Sequence, residues 1–164
     1  MRQTLDGVKP MLPRVERYSY IQSSAVIGRG YNYATAFEIA LKIKELTRVV
    51  TESYSSADFR HGPISVLEPR FPLILVAPTG RTSADLSDLA AETKRRGAEL
   101  IMIADDPALL RQAQMPLPLP PNIPEWLSPL TAVLPGQLFA MQLALAKGYD
   151  VDRPTGLTKV TETR

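Results

Sequence analysis

The segments SAVIG (24–28), FPLILVAP (71–78) and AELIMIAD (98–105) are unbroken apolar runs, not alternations of apolar and polar residues. A strand with one face in water alternates, because successive side chains point to opposite faces; a strand apolar throughout needs cover on both. Such runs demand a sheet held between two helical layers, and parallel strands joined by crossovers are how a chain builds one. The sequence between the runs supplies those crossovers. A helix is predicted from about Tyr33 to Thr47, after the turn GRGYNY, and another over TSADLSDLAAETKRRG (82–97), stopped by Gly97. RVVTESY (48–54) is rich in β-branched residues and reads as a further strand.

The stretch QAQMPLPLPPNIPEW (112–126) carries Pro116, Pro118, Pro120 and Pro121, which cannot donate to a central ladder. It fits an edge strand or an extended connection, with a polyproline ligand for another domain as the lesser alternative. LSPLTAVLPGQLFAMQLALAKG (127–148) is long enough for a closing helix, with a bend expected near Pro135 and Gly136. The predicted class is therefore a three-layer αβα sandwich around a parallel sheet. Its expected organisation is a polar lead-in (1–23), a single α/β domain (24–150) and a polar tail (151–164).

Composition removes several classes of function. Nineteen Lys and Arg against seventeen Asp and Glu leave a net charge of +2, scattered along the chain, so no nucleic-acid footprint is expected. With no cysteine and one histidine there is neither a disulfide framework nor a sufficient ligand set for a transition metal, and no cofactor or metal is expected. The first twenty residues are polar and proline-broken, and no run reads as a membrane span, so a cytoplasmic protein with no membrane partner is expected.

On the first predicted helix, Glu38, Lys42 and Glu45 are spaced i, i+4, i+7 and share one face to within about 60°. A solvated ion-pair ladder gives the same spacing. Here, however, Phe37 and Leu41 border the charges on one side and Ile39, Ile43 and Leu46 on the other, which suits a helix lining a crevice. Ligands in open α/β sheets bind beyond the carboxyl ends of the strands, which brings in the loops after Gly28, Tyr54 and Ala77, with Gly28, Gly30 and Asn32 in the first. In APTGRTS (77–83), backbone N–H groups near Thr79, Gly80, Thr82 and Ser83 open a helix and could hold an anion; a capped helix start with Thr82 or Ser83 as N-cap explains them equally well. His61, in ADFRHGP (57–63), is the sole side chain whose unperturbed pKa lies near neutrality.

Three motifs, GRGYNYATAFEIALKIKE (28–45), ESYSSADFRHGP (52–63) and KGYDVDRPTGLTK (147–159), together resemble the sugar-isomerase (SIS) domains, and among them the second SIS domain of the glucosamine-6-phosphate synthases, which aminate and isomerise fructose-6-phosphate. The resemblance implies that Glu45 moves a proton between C1 and C2, with Glu38 and Lys42 beside it, that His61 opens the sugar ring, and that Lys159 forms an imine with the keto sugar. It also implies a flavodoxin-like α/β fold, a phosphorylated sugar as ligand and a homodimer or a pairing with another SIS domain. The chemistry is consistent with the residues: proton transfer through an enediol needs a carboxylate whose pKa is set by a crevice and a neighbouring amine.

The match departs from the family's pattern in two places. Ala77 stands where SIS phosphate loops have their first serine, and Asn32 where many have a serine in the first loop. The synthases also hold the sugar phosphate mainly with a first SIS domain and make ammonia in a glutaminase domain, for which this chain has no room. Glutamine-dependent amination by this chain alone is not expected. A part of a larger enzyme, a self-paired isomerase and a non-catalytic sugar-phosphate-binding module all fit. A receiver domain, suggested by IADDP, does not, since Asp105 and Asp106 follow the fourth strand instead of the first.

Overall fold

The computed structural model describes residues 1–153. In chain order it comprises α1 (Arg2–Val8), a 3-10 segment (Lys9–Tyr18), β1 (Ser23–Gly28), α2 (Asn32–Thr47), β2 (Val50–Ser55), α3 (Ser56–Arg60), a 3-10 turn (Pro63–Val66), β3 (Pro72–Val76), α4 (Ser83–Arg95), β4 (Glu99–Ala104), α5 (Pro107–Leu110), β5 (Met115–Pro118), a 3-10 turn (Glu125–Leu127) and α6 (Ser128–Ala146). The five strands form one parallel sheet, as the apolar runs predict, in the order β2-β1-β3-β4-β5, the flavodoxin-like arrangement that the resemblance implies.

Both faces are covered, as those runs require. On one face Val26, Ile74, Ile101 and Ile103 pack under α2, α6 and the N-terminal segment. On the other, Ile27, Leu73, Leu75, Leu100 and Met102 pack under α3 and α4. Residues 2–18, which read as a polar lead-in, are helical and contribute Val8, Val15 and Tyr18 to the first cluster at 0% exposure. An ion pair from Arg17 to the buried Glu99 of β4, at 2.7 Å, holds this segment to the sheet.

The proline-rich stretch forms the edge strand β5. Leu119 N–H donates to Ala104 C=O, so the odd-numbered residues turn their N–H groups towards β4. Pro116 and Pro118, of opposite parity, direct their missing donors to the free edge, where none is needed.

Helix α6 runs without interruption through Pro135 and Gly136. Contrary to the expectation from sequence, the stretch Glu125–Ala146 is long and apolar enough to cross a membrane by length and composition. Part of its apolar surface is used inside the molecule, with Ala132, Phe139, Ala140 and Leu143 in the cluster shared with α2, whereas Leu130 and Leu145 are exposed. The two helices approach closely at Gly136, where a Cβ would lie 2.3 Å from Ile39 side-chain atoms. A second close approach occurs at Gly28, where a Cβ would lie 2.1 Å from the Asn32 carbonyl oxygen, so the β1–α2 turn can be this tight only with glycine.

Helix propensity alone would favour Gly136→Ala by about 1 kcal/mol. The Ile39 contact reverses the sign: urea unfolding should show Gly136→Ala destabilised by about 1–3 kcal/mol through overpacking. Ile39→Ala in the same chain should remove most of that cost. A stabilised Gly136→Ala protein would show that the two helices are not in contact there.

Candidate functional site

The charged stripe on α2 lies at its seam with α6. Lys42 Nζ donates to Glu45 Oε2 at 2.7 Å and stands 4.0 Å from Glu38 Oε1, so the amine sits between two carboxylates. Gln137 of α6, one residue beyond the Gly136 contact, donates from Nε2 to the same Glu38 oxygen at 3.1 Å. All three charged side chains are about one-third exposed. They are therefore neither buried in the core nor standing free in water.

The stripe's two flanks have different environments. Ile39 and Ile43 are fully buried in the core beneath α2, whereas Phe37 and Leu41 are 51% and 43% exposed. Tyr33 stacks edge-on against Phe37 with ring centroids 4.9 Å apart and extends the apolar strip towards the N-terminus of α2. Within one chain the stripe thus borders an open apolar surface, and the crevice expected from sequence has only one wall.

The strand-end loops are tied up internally. Asn32 is buried; its Nδ2 donates to Ser128 Oγ at 2.7 Å and its Oδ1 accepts from Thr35 Oγ1 at 3.1 Å, fastening the start of α2 to the start of α6. In the 77–83 loop, Thr79 N–H donates to Asp105 Oδ1 at 2.6 Å, Gly80 N–H to Ser83 Oγ at 2.6 Å and Arg81 N–H to Glu125 Oε1 at 3.1 Å. Two of the amides that could receive an anion therefore already hold carboxylates of the chain itself. Thr82 is the N-cap of α4 but makes no side-chain cap bond, while Ser83 bonds back to the Gly80 carbonyl at 2.8 Å. Gly30, with φ of 56°, packs near Thr82 and joins this loop to the one after Gly28.

His61 ends α3 and is exposed; its N–H caps back to Asp58 C=O at 3.1 Å. The side chain of Phe59, two residues earlier, is buried in the cluster under α3 and α4, on the other face of the sheet from α2. One chain accordingly holds His61 and Glu45 in opposite layers. Glu45 is also about 20 Å along α2 from Asn32, at 1.5 Å per residue, well away from the carboxyl edge of the sheet. The predicted residues fall into three places: the α2 stripe, the strand-end loops and the α3 turn. Lys159 lies outside the described residues.

Sequence reasoning missed Gln137, Asp105 and Glu125. Gln137 lies 99 positions from Glu38, and no local pattern links them. The IADDP motif did draw attention to Asp105, but its partner amide lies one strand away. Among the described residues no cluster of His, Asp or Glu side chains is arranged to hold a metal ion.

The hydrogen bond from Lys42 to Glu45 is the largest influence on the amine and holds its pKa above the ordinary 10.5, against a smaller lowering by burial. The folded value exceeds the unfolded one, so the pair's contribution to stability is complete below about pH 10.5 and disappears as pH rises through the folded value. The stability difference between wild type and Lys42→Met should be constant near neutrality and shrink in alkali. In Glu45→Gln, the Lys42 ε-CH₂ NMR titration should move to lower pH.

Comparison with known proteins is consistent with this geometry. A model of the SIS domain matches residues 22–147. The glutamine–fructose-6-phosphate aminotransferase [isomerizing] of Pyrococcus horikoshii is 42% identical over 133 residues, covering 81% of this chain and 22% of that protein. Its counterpart in Leifsonia xyli is 40% identical over 165 residues, covering 97% of this chain and 27% of that protein. The chain thus spans about a quarter of the length of these relatives. The solved C-terminal domain of glucosamine-fructose-6-phosphate aminotransferase from Francisella tularensis superposes with a TM-score of 0.77 at 26% identity, over 90% of this chain and 42% of that one. With its parallel sheet, its three motifs and a family match over most of its length, the chain belongs to the SIS domain family.

Proposed function

We propose that this SIS domain supplies the proton-transfer half of a hexose-6-phosphate isomerisation site of the glucosamine-6-phosphate synthase type, completed by a second SIS domain packed against α2. The observation that carries this reading is the Glu38–Lys42–Glu45 stripe beside an exposed apolar strip. A covering domain would bury Phe37 and Leu41 and turn the open stripe into a desolvated cleft, where a carboxylate beside an amine is suited to proton transfer. Glu45 would take the proton from C1 or C2 of the opened sugar, giving an enediol, and return it to the neighbouring carbon. The electron pair moves within the substrate, so no oxidant or reductant is needed. Lys42 would offset the charge that builds on the enediol oxygen, and Gln137 would hold Glu38.

In this reading His61 opens the sugar ring in the site of another protomer, since it lies across the sheet from Glu45 within its own chain. Lys159 would form the imine with the keto sugar. The phosphate would be held by the partner: the loop amides of this domain are engaged by Asp105 and Glu125. A phosphorylated substrate would suit a cytoplasmic domain.

The test is hydrogen exchange. Hexose-6-phosphates incubated with the protein in deuterated water should take up deuterium at C1 or C2, and Glu45→Gln should slow uptake by about 10²–10⁴-fold, the usual worth of a positioned acid–base group. Binding without exchange would favour the second reading, a non-catalytic sugar-phosphate-binding module.

Pairing is tested separately by size exclusion with light scattering. Self-pairing through α2 predicts a dimer that Phe37→Glu dissociates. A strict monomer at all concentrations would eliminate self-pairing and leave a different SIS domain as the partner.

A further inference from the structure

Helix α3 has five residues, too few to hold a helical conformation or a direction alone. It must be held from outside, because His61 follows directly on its last residue and Gly62, with φ of 141°, turns the chain away at once. Phe59 anchors one side of the helix in the core. The other side is held by α4, mainly through the carboxylate of Asp85. Ser56 Oγ, on a fully buried residue, donates a very short hydrogen bond to Asp85 Oδ2, and Arg60 donates from Nη1 to Asp85 Oδ1 at 2.7 Å and from Nη2 to the Asp85 backbone carbonyl at 3.1 Å. Ser56 and Arg60 are four residues apart and so face α4 from the same side of α3.

Asp85 also reaches the β1–α2 loop. Arg29 Nη1 donates to Ser56 Oγ at 3.2 Å, and Arg29 Nε stands 3.9 Å from Asp85 Oδ2. Arg60 makes a further ion pair with Glu92, about two turns along α4 from Asp85, at 3.4 Å. Burial raises the carboxyl's pKa, but the hydrogen bonds from Ser56 and Arg60 and the charges of Arg60 and Arg29 outweigh it and leave Asp85 below 3.8, ionised at neutral pH.

We propose that Asp85 is the positioning residue for His61: through Ser56 and Arg60 it fixes the α3 turn that presents the imidazole. The bearing of this on chemistry rests on the reading of His61 as a ring-opening group; the placement does not. One carboxylate joins the ends of β1 and β2 to the first turn of α4, so its loss frees the turn at Arg60, immediately before His61.

Because the chain has a single histidine, its imidazole C–H resonances in the full-length protein report on this residue alone. In Asp85→Ala these resonances should shift by more than their line width and broaden, with the circular dichroism spectrum unchanged. Asp88→Asn, which removes a charge from the same helix at an exposed site outside the network, should leave them in place. Resonances in a folded Asp85→Ala protein that superimpose on wild type would overturn the proposal, as would an equal shift in Asp88→Asn. Should Asp85→Ala not fold, Asp85→Asn and Arg60→Lys give the same readout with less loss of packing. Hydrogen exchange in His61→Ala is scored apart: normal exchange there would remove His61 from the chemistry and leave the positioning result standing.

Discussion

Helix α6 meets α2 at a residue without a side chain, and much of the molecule follows from that contact. Gly136 lets the two helices approach until Ile39 fills the space a Cβ would occupy. Asn32 bonds to Ser128 at one end of the same pair and fixes the register. With Ile39 and Ile43 turned into the core, the helical period forces Glu38, Lys42 and Glu45 towards the seam and Phe37 and Leu41 outward. Gln137 reaches Glu38 only because its neighbour Gly136 brings the backbones close.

The same packing leaves this domain asymmetric. One side presents acids, an amine and uncovered apolar side chains. The strand-end loops, where folds of this order usually take their ligands, are closed by hydrogen bonds within the chain. Anion-binding capacity in such a loop resides in free N–H groups, and here Asp105 and Glu125 consume two of them. In this loop the chain's own carboxylates occupy two of the amides.

The buried parallel sheet was legible because continuous apolar runs admit few alternatives, and β5 was legible as an edge because proline lacks a donor. The stripe was legible through its helical spacing. Residues 2–18 read as a polar lead-in, although Thr4, Val8, Met11, Leu12, Val15 and Tyr18 recur at helical spacing and turn inward, because the segment around them is charged and broken by prolines. The membrane-like composition of α6 was overlooked for a related reason, since an apolar helix buried against a neighbour and one facing lipid have the same sequence pattern. Helix α3 is too short to leave a periodic signal, and the bonds that hold it come from residues 25 or more positions away.

What the sequence determined alone is what depends on neighbours along the chain: the strands, the long helices α2, α4 and α6, the turn at Gly28 and the identity of the groups carried on α2. Only the tertiary structure decided which of those groups meet. It placed His61 and Glu45 in opposite layers, closed the Thr79–Arg81 amides with Asp105 and Glu125, and set Gln137 against Glu38. The reason is physical: periodicity fixes the direction of a side chain relative to its own helix or strand, whereas contact between elements depends on how closely two backbones approach, and that is settled by the packing of the whole core.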